Sequence, residues 1–274
     1  MGSGRDAAIV MPDAAPDAPP VLGAWSTPAK VTVAATAEIE DDDTLSSDAL
    51  ELIFAVTTGD TKDLYYTSRT ALDAPWTTPA KLPFDNASSE QTPRFTGDDR
   101  TLYFAADRTT TGNLDIYMVT RTAANNTSWG TPQLVDGLHT ALLEKWLTPC
   151  TGGRYVVVEG PDTNGDTNLY EGTLGGGTPV AITALNTGAE ELAPFLTQDC
   201  LTLYFSRKLS PQRIWVSHRA TATSAWETPV MVEDFKLTGT DNQEDPWISP
   251  SGRIFALVSD AAGNGNKDVY LSTR

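Results

Sequence analysis

Acidic side chains are the most abundant groups in this sequence that could do chemistry. The chain has 274 residues with 36 Asp and Glu against 19 Lys and Arg, a formal charge of −17. A glutamate precedes the predicted inner strand of each of five repeats: Glu40, Glu90, Glu144, Glu191 and Glu244. If the repeats close into a ring, these acids would surround the mouth of a central channel and attract cations or hydroxyl-bearing ligands. The alternative is that each acid caps its own strand or accepts from a turn amide.

One acidic segment resembles a calcium loop. Asp162, Asn164 and Asp166 place oxygen-bearing side chains at alternate positions, as a loop that wraps a hard cation does. The glycine falls at the fourth place instead of the sixth, and no bidentate glutamate follows at the twelfth. A plain hairpin turn is therefore the competing interpretation, and calcium is the only cofactor that the sequence suggests.

Large side chains recur on the predicted inner strands and could bind a ligand. Arg94, Trp146, Phe195 and Trp247 are assigned to one position of the repeat. Side chains at this position would pack between neighbouring strands, or they would form a stacking platform for a sugar or a peptide. Trp146, in the most irregular repeat, is the strongest candidate for such a platform.

Other catalytic classes find little support. His139 and His218 are the only histidines, and the sequence has no Gly-x-Ser-x-Gly motif. No His and Cys cluster has the spacing of a zinc site, and no glycine-rich loop fits a phosphate. Nucleophilic, zinc-dependent and nucleotide-binding enzymes are thus disfavoured.

The charge and hydropathy of the chain exclude two kinds of partner. A polyanion such as nucleic acid, or an anionic lipid surface, requires a basic face that an excess of 17 acids does not provide. No apolar run approaches the roughly 20 residues of a membrane-spanning helix. We expect a protein, most simply a monomer, whose partner is another protein or a small polar ligand such as a sugar.

Two cysteines, Cys150 and Cys200, stand 50 residues apart, which is one repeat. Both fall in the turn that leaves an inner strand, so adjacent repeats would bring them close to the axis. A disulfide between them is predicted, with two small buried thiols as the alternative.

Five repeats of about 50 residues determine the predicted fold. Thr-Pro pairs recur at spacings of 51, 53, 47 and 50 residues, beginning at Thr27, Thr78, Thr131, Thr178 and Thr228. Each repeat has an apolar strand signal and an Asp-aliphatic-aromatic signal such as Asp115-Ile116-Tyr117, in which Asn168 and Arg213 replace the aspartate in two repeats. Four strands in such a period predict an all-β, five-bladed β-propeller with four-stranded antiparallel blades. The last blade is completed when residues 29–34 pair with residues 267–273.

The first 22 residues differ in composition from the rest. Residues 1–4 are interpreted as a vector-derived leader, and residues 5–22 are rich in Ala, Pro and Asp. Such a segment is typical of a solvated tether. We therefore predict a tether over 1–22, one propeller domain over 23–274, and an extracytoplasmic location in the periplasm, as a lipoprotein or as a secreted protein.

The repeat resembles a known family. Pro93-Arg-Phe-Thr-Gly-Asp-Asp-Arg-Thr-Leu-Tyr-Phe, followed by Asn113-Leu-Asp-Ile-Tyr117, is similar to the WD-like repeat of TolB-type β-propellers. The resemblance covers residues 25–274 and implies an exported bacterial propeller.

Two functions are carried forward. The first is a non-enzymatic binding module that holds its ligand or protein partner at the acidic channel mouth. The second is a glycoside hydrolase of the five-bladed type, which would require two carboxyl groups about 5 to 9 Å apart.

Overall fold

The apolar segments predicted as strands form the middle of five four-stranded antiparallel sheets. The computed structural model describes residues 22–34, 38–84, 88–110, 112–161, 165–233, 235, 237–261 and 266–274. Five sheets of four strands each confirm the predicted five-bladed propeller. Second strands such as Glu51–Thr58 are buried on both faces over most of their length, because each blade packs between two others.

The strands follow the chain order in each blade, from the inner to the outer edge. Blade 1 contains β2 (Ile39–Leu45), β3 (Glu51–Thr58), β4 (Thr61–Ser68) and β5 (Ala80–Lys81). Blade 2 contains β6 (Glu90–Phe95), β7 (Thr101–Thr110), β8 (Asn113–Thr120) and β9 (Gln133–Leu134). Blade 3 contains β10 (Leu143–Pro149), β11 (Arg154–Gly160), β12 (Asn168–Thr173) and β13 (Val180–Ala181). Blade 4 contains β14 (Glu191–Leu196), β15 (Thr202–Arg207), β16 (Arg213–His218) and β17 (Val230–Met231). Blade 5 contains β18 (Gln243–Ile248), β19 (Ile254–Ser259) and β20 (Asp268–Thr273), and β1 (Ala29–Lys30) is its outer strand.

The N-terminal strand closes the ring as predicted. β1 pairs with β20 through Ala29 opposite Leu271 and Lys30 opposite Tyr270. The backbone N–H of Val31 continues the pairing by donating to the Val269 carbonyl at 2.8 Å. The pairing is shorter than residues 29–34, because Thr32–Ala34 turns into a 3-10 helix. The last blade therefore has its fourth strand and exposes no unpaired third strand.

Two faces of the ring follow from the antiparallel order. Each inner strand starts at the linker from the preceding blade and ends at the turn that leads to the second strand. We call the first side the linker face; it also contains the hairpins between second and third strands. The opposite side, with the turns after the inner strands, is the turn face. Within the described residues, no helix has the length and hydropathy needed to cross a membrane.

A stack of arginine on tryptophan explains two of the repeated landmarks. In four blades the arginine after the third strand covers the tryptophan before the Thr-Pro pair. The guanidinium carbon lies 4.1 to 4.7 Å from the indole centroid in the pairs Arg274–Trp25, Arg69–Trp76, Arg121–Trp129 and Arg219–Trp226. These cation–π contacts fix the third strand to the segment that precedes the outer strand.

Cys150 and Cys200 are joined by a disulfide between the first turns of blades 3 and 4, with Cα atoms 5.4 Å apart. The same two turns share hydrogen bonds, because the backbone N–H of Thr151 donates to the Gln198 carbonyl at 3.0 Å. Blade 3 is thereby fixed to blade 4 at the turn face.

Candidate functional site

Every inner strand contains a β-bulge at the same place, and the bulge determines which side chains reach the axis. In each blade the pairing between the inner and second strands shifts register, and two residues of the inner strand lie within the shift. The first of the two has a φ between 48° and 56° in all five blades: Asp42, Thr92, Trp146, Ala193 and Asp245. Positive φ is uncommon outside glycine, so its fivefold recurrence marks a constraint of the ring rather than local chance.

The bulge corrects the sequence alignment of Trp146. Arg94, Phe195 and Trp247 share one register position, because each lies two residues after the bulge residue of its own strand. Their counterpart in blade 3 is Thr148, which pairs with Val156. The assignment of Trp146 to this position was wrong, since Trp146 is itself the bulge residue. The irregular third repeat has no proline after its bulge residue. It therefore lacks the proline that aligns the inner strands of blades 2, 4 and 5.

Trp146 joins two carboxyl groups from other blades at the axis. Its indole Nε1 donates to Asp42 Oδ1 and to Asp245 Oδ1, each at 3.0 Å. The backbone N–H of Asp42 also donates to Asp245 Oδ2 at 3.2 Å. Three bulge residues, from blades 1, 3 and 5, are thus in direct contact, and both aspartates are only 2% exposed. We call these three residues, together with Asp41, Glu244, Lys62 and Lys267, the axial cluster.

Two lysines of the axial cluster bring compensating charge from third strands. Lys62 Nζ lies 2.7 Å from Asp41 Oδ2 and 2.8 Å from Asp42 Oδ2. Lys267, at the same repeat position in blade 5, forms an ion pair with Glu244. The mouth of the channel is consequently a mixed-charge surface and not a ring of acids.

A third lysine lies at this mouth without a carboxylate partner. Lys145 stands one residue before the bulge, and its ammonium lies 5.4 Å from the Trp146 ring centroid. It forms no ion pair with another described residue, although the charges of Asp41 and Asp42 act on it electrostatically. Burial lowers its pKa, so the group is less firmly charged than a surface lysine.

Burial and neighbouring charge separate the pKa values of the axial carboxyl groups. Burial and the Asp42 charge raise the pKa of Asp41 to about 7. Burial also raises the pKa of Asp245 well above its ordinary value, with Asp42 adding to the effect. Burial acts in the same direction on Asp42, but the Lys62 ammonium outweighs it and leaves the pKa of Asp42 below its ordinary value. Of the two, Asp42 therefore holds its negative charge more firmly and Asp245 holds its proton more firmly.

Four of the predicted glutamates lie away from the axial cluster. Glu40, Glu90, Glu144 and Glu191 occupy the position two residues before the bulge and are fully buried. Glu191 accepts from the Thr187 hydroxyl at 2.7 Å and from Arg207 Nε at 2.9 Å, and Glu144 accepts from the Thr140 hydroxyl. Thr140 and Thr187 belong to the preceding linkers. The expected convergence on the channel mouth stays a prediction, which the full burial of these side chains and the linker bonds of Glu144 and Glu191 disfavour. Ligand binding by them stays a prediction that their burial disfavours.

Glu244 does not share this position. Gln243 is the residue two before the bulge in blade 5, and its amide Nε2 donates to the Phe235 carbonyl at 2.6 Å. Glu244 is one place later, equivalent to Asp41 and Lys145. It accepts from Gln212 Nε2 at 2.9 Å, and it is the one predicted glutamate that the structure brings to the axial cluster.

Arg94 is buried beside the axis and is only 1% exposed. Its Nη1 donates to the Asp43 and Pro93 carbonyls, while Nε and Nη2 donate to no atom of the described part of the chain. Neither carboxylate oxygen of Asp43 has a hydrogen-bond partner among the described residues, and burial raises the pKa of Asp43 to about 7. Trp247 lies nearer the turn face, with its ring centroid 6.2 Å from that of Phe195.

The predicted calcium loop is mostly outside the described residues. Asp162 and Asn164 are not among them, and Asp166 alone cannot test the site, so calcium stays a prediction. In the part of the chain that the structure describes, no group of three or more His, Cys, Asp or Glu side chains could hold a metal ion.

Sequence reasoning missed the importance of Asp42, Asp245 and Lys62. One signal was present: a proline follows the bulge residue in three inner strands, at Pro93, Pro194 and Pro246. Proline inside a strand marks a bulge, since it cannot donate to the ladder. Aligning the repeats on those prolines would have placed Thr92, Ala193 and Asp245 at one position. Blades 1 and 3 lack the proline, so Asp42 and Trp146 could not have been placed in this way.

The fold is shared with solved propellers of different activities. No protein-family model matches the chain, and comparison with curated proteins gives no match. A protein assigned as TolB from Agrobacterium tumefaciens has a TM-score of 0.54 at 17% identity, covering 86% of this chain and 79% of that one. An α-L-arabinofuranosidase from Podospora anserina, in complex with cellotriose, gives 0.56 at 14% identity over 93% and 97%. A GH62 hydrolase in complex with xylotriose gives 0.59 at 11% identity over 92% and 97%.

At these identities the likeness shows the fold alone. It confirms the β-propeller architecture inferred from the repeat. It does not separate a binding module from a hydrolase, because both classes are similar to this chain.

Proposed function

We propose that this protein is a non-enzymatic, extracytoplasmic binding module that engages a protein partner through its linker face. The observation that supports it is the bridge from Trp146 Nε1 to Asp42 and Asp245. The two carboxyl groups share the Trp146 indole N–H, and Asp42 also pairs with Lys62, so the protein's own groups already engage them, which disfavours a role on a substrate. The axial charges then stabilise the ring of blades, and the exposed rim of the linker face is the surface available for binding a partner.

The linker face has features suited to a protein contact. Leu142, in the linker before β10, and Leu209, in the hairpin between β15 and β16, are 38% and 49% exposed. Leu209 stands beside charged groups, since the neighbouring Lys208 pairs with Glu190 at 2.8 Å. Exposed apolar side chains within a polar surround are typical of an interface. An extracytoplasmic location is supported by the Cys150–Cys200 disulfide.

Photo-crosslinking tests this proposal. A photoreactive residue replaces Leu142 or Leu209, and a matched control replaces Leu72, which is 53% exposed on the turn face between β4 and β5. We expect one protein of the cell envelope to be captured from both linker-face positions and not from Leu72. The purified partner should then bind the wild-type protein in titration and block both crosslinks. Capture from Leu72 alone, or from none of the three, would contradict the proposal.

A glycoside hydrolase is the second candidate, favoured by the separated pKa values of Asp42 and Asp245. Such a pair is what an acid and a base require, and two similar structures are hydrolases bound to oligosaccharides. The test is turnover of aryl arabinofuranosides, xylo-oligosaccharides and cello-oligosaccharides by the wild type and by Asp42→Asn. We expect no turnover by the wild type. Hydrolysis that Asp42→Asn abolishes would replace the binding proposal with an enzymatic one.

A further inference from the structure

A cleft of about 430 Å³ opens at the turn face, at the opposite end of the axis from the axial cluster. It is formed by the ends of the inner strands and the first turns of blades 1, 2, 4 and 5. The volume falls in the lower part of the range for small-ligand sites. We call it the turn-face cleft. No function discussed so far uses it.

Aromatic side chains form one side of the turn-face cleft. Phe195 and Tyr204 are half-buried and pair across adjacent strands of blade 4, and Trp247 of blade 5 meets Phe195 edge to face. Tyr204 is also held by an edge contact to Phe255, with ring centroids 5.5 Å apart. Rings fixed in this way offer a preformed apolar surface that loses little entropy when a ligand binds.

Two polar atoms on these rings have no protein partner. Neither the Tyr204 hydroxyl nor the Trp247 indole N–H makes a hydrogen bond to another described residue, and both residues line the cleft. A half-buried donor without a partner is costly unless water or a ligand satisfies it. The cleft therefore combines apolar rings with donors that are open to water or to a ligand.

Gln198 borders the cleft on the side of blade 3, whose own turn does not line it. The disulfide and the Thr151 bonds hold the blade 3 turn against blade 4, so that turn does not line the cleft. Gln198 reaches past it to the turn of blade 2, where a Cβ added to Gly97 would lie 2.5 Å from Gln198 Oε1. Glycine at position 97 thus leaves room for an amide that can both donate and accept.

The charge of the lining decides the class of ligand. Among the described residues that line the cleft there are two carboxylates, Asp99 and Asp199, one histidine, His218, and no lysine or arginine. An anionic ligand would be repelled here and by the overall charge of −17.

We propose that the turn-face cleft binds a neutral saccharide: the C–H face of a sugar ring stacks on Phe195 and Tyr204. Its hydroxyl groups bond to the Tyr204 hydroxyl, the Trp247 indole and the Gln198 amide.

The experiment combines a ligand screen with variants matched by the repeat. Saturation-transfer NMR is recorded on the full chain with neutral disaccharides of glucose, xylose, galactose and arabinose. A uronic acid disaccharide and a proline-rich peptide are the comparison probes, and calorimetry gives the Kd of any saccharide that binds. Tyr204→Phe removes only the hydroxyl and should weaken binding about three- to tenfold. Gly97→Ala should weaken it about threefold or more, because the new methyl displaces the Gln198 amide.

Tyr103→Phe is the control, since Tyr103 occupies the position of Tyr204 in blade 2 but is buried and does not line the cleft. It should leave the Kd unchanged. Binding of a neutral disaccharide that Tyr204→Phe weakens and Tyr103→Phe does not would establish the site. Three results would each overturn it: no binding of any neutral disaccharide, equal loss in both tyrosine variants, or binding of the peptide or uronate in preference to neutral sugars. None of them bears on the linker-face proposal, which is tested at the other side of the ring.

Discussion

Trp146 stabilises the ring through a single N–H that two buried carboxyl groups share. Trp146→Phe keeps an aromatic ring at the bulge but leaves Asp42 and Asp245 without this donor. We expect a loss of about 1–3 kcal/mol in the free energy of unfolding, since buried acceptors lose their partner. Denaturant titration measures the loss.

Trp226→Phe is the matched control for that substitution. The Trp226 indole N–H donates to no other residue that the structure describes, and its ring is covered by Arg219 at 4.1 Å, so the phenyl ring keeps most of its contacts. If both variants lose the same stability, the effect comes from the smaller ring and the bridge contributes nothing.

The sequence predicted which residue types lie near the axis better than it predicted which atoms meet there. Glutamates two residues before the bulge were found by their spacing, yet their spacing cannot show that Glu144 and Glu191 bond to the preceding linkers. Trp146 and Glu244 were misaligned by one or two residues, because a bulge adds a residue without a strong sequence signal. Contacts between blades 1, 3 and 5 depend on ring closure, which no local pattern encodes.

At the scale of strands and turns, the repeat was far more informative. The Thr-Pro pairs, the Asp-aliphatic-aromatic signals and the apolar second strands gave the number of blades, their strand order and the closure by β1. These features depend on local turn chemistry and alternating burial, which a repeat displays five times over. The pairing of Cys150 with Cys200 also followed from the period.

The disulfide should contribute to stability by restricting the unfolded chain. It closes a loop of 50 residues, and Cys150→Ala with Cys200→Ala should lower the free energy of unfolding by about 2–4 kcal/mol. The measurement is denaturant unfolding of the double variant and of the wild type with and without reductant. Reductant should destabilise the wild type and leave the double variant unchanged. Two free thiols per denatured, unreduced wild-type chain would contradict the bridge.

At the scale of the whole molecule, buried acids give stability an unusual dependence on pH. The pKa values of Asp41, Asp43 and Glu159 are each raised by burial to about 7, and burial raises that of Asp245 as well. The folded protein therefore binds these protons at a pH where the unfolded chain has released them. Stability from a raised carboxyl pKa is full near the unfolded value of about 4 and is lost as pH rises through 7.

We expect the Tm to rise by about 5 °C between pH 8 and pH 5, and the falling negative charge acts in the same direction.

Asp43→Asn tests the origin of this rise. Asp43 faces Arg94, Asp42 and Asp41, and Arg94 opposes the increase in its pKa without cancelling it. An amide that never ionises should therefore raise the Tm at pH 8 more than at pH 5 and flatten the profile. Asp98→Asn is the control, because the Thr96 hydroxyl lowers the pKa of the exposed Asp98 and it stays ionised from pH 5 to 8. A wild-type Tm that is constant or falls from pH 8 to pH 5, or an Asp43→Asn profile as steep as that of Asp98→Asn, would show that the buried acids do not govern stability.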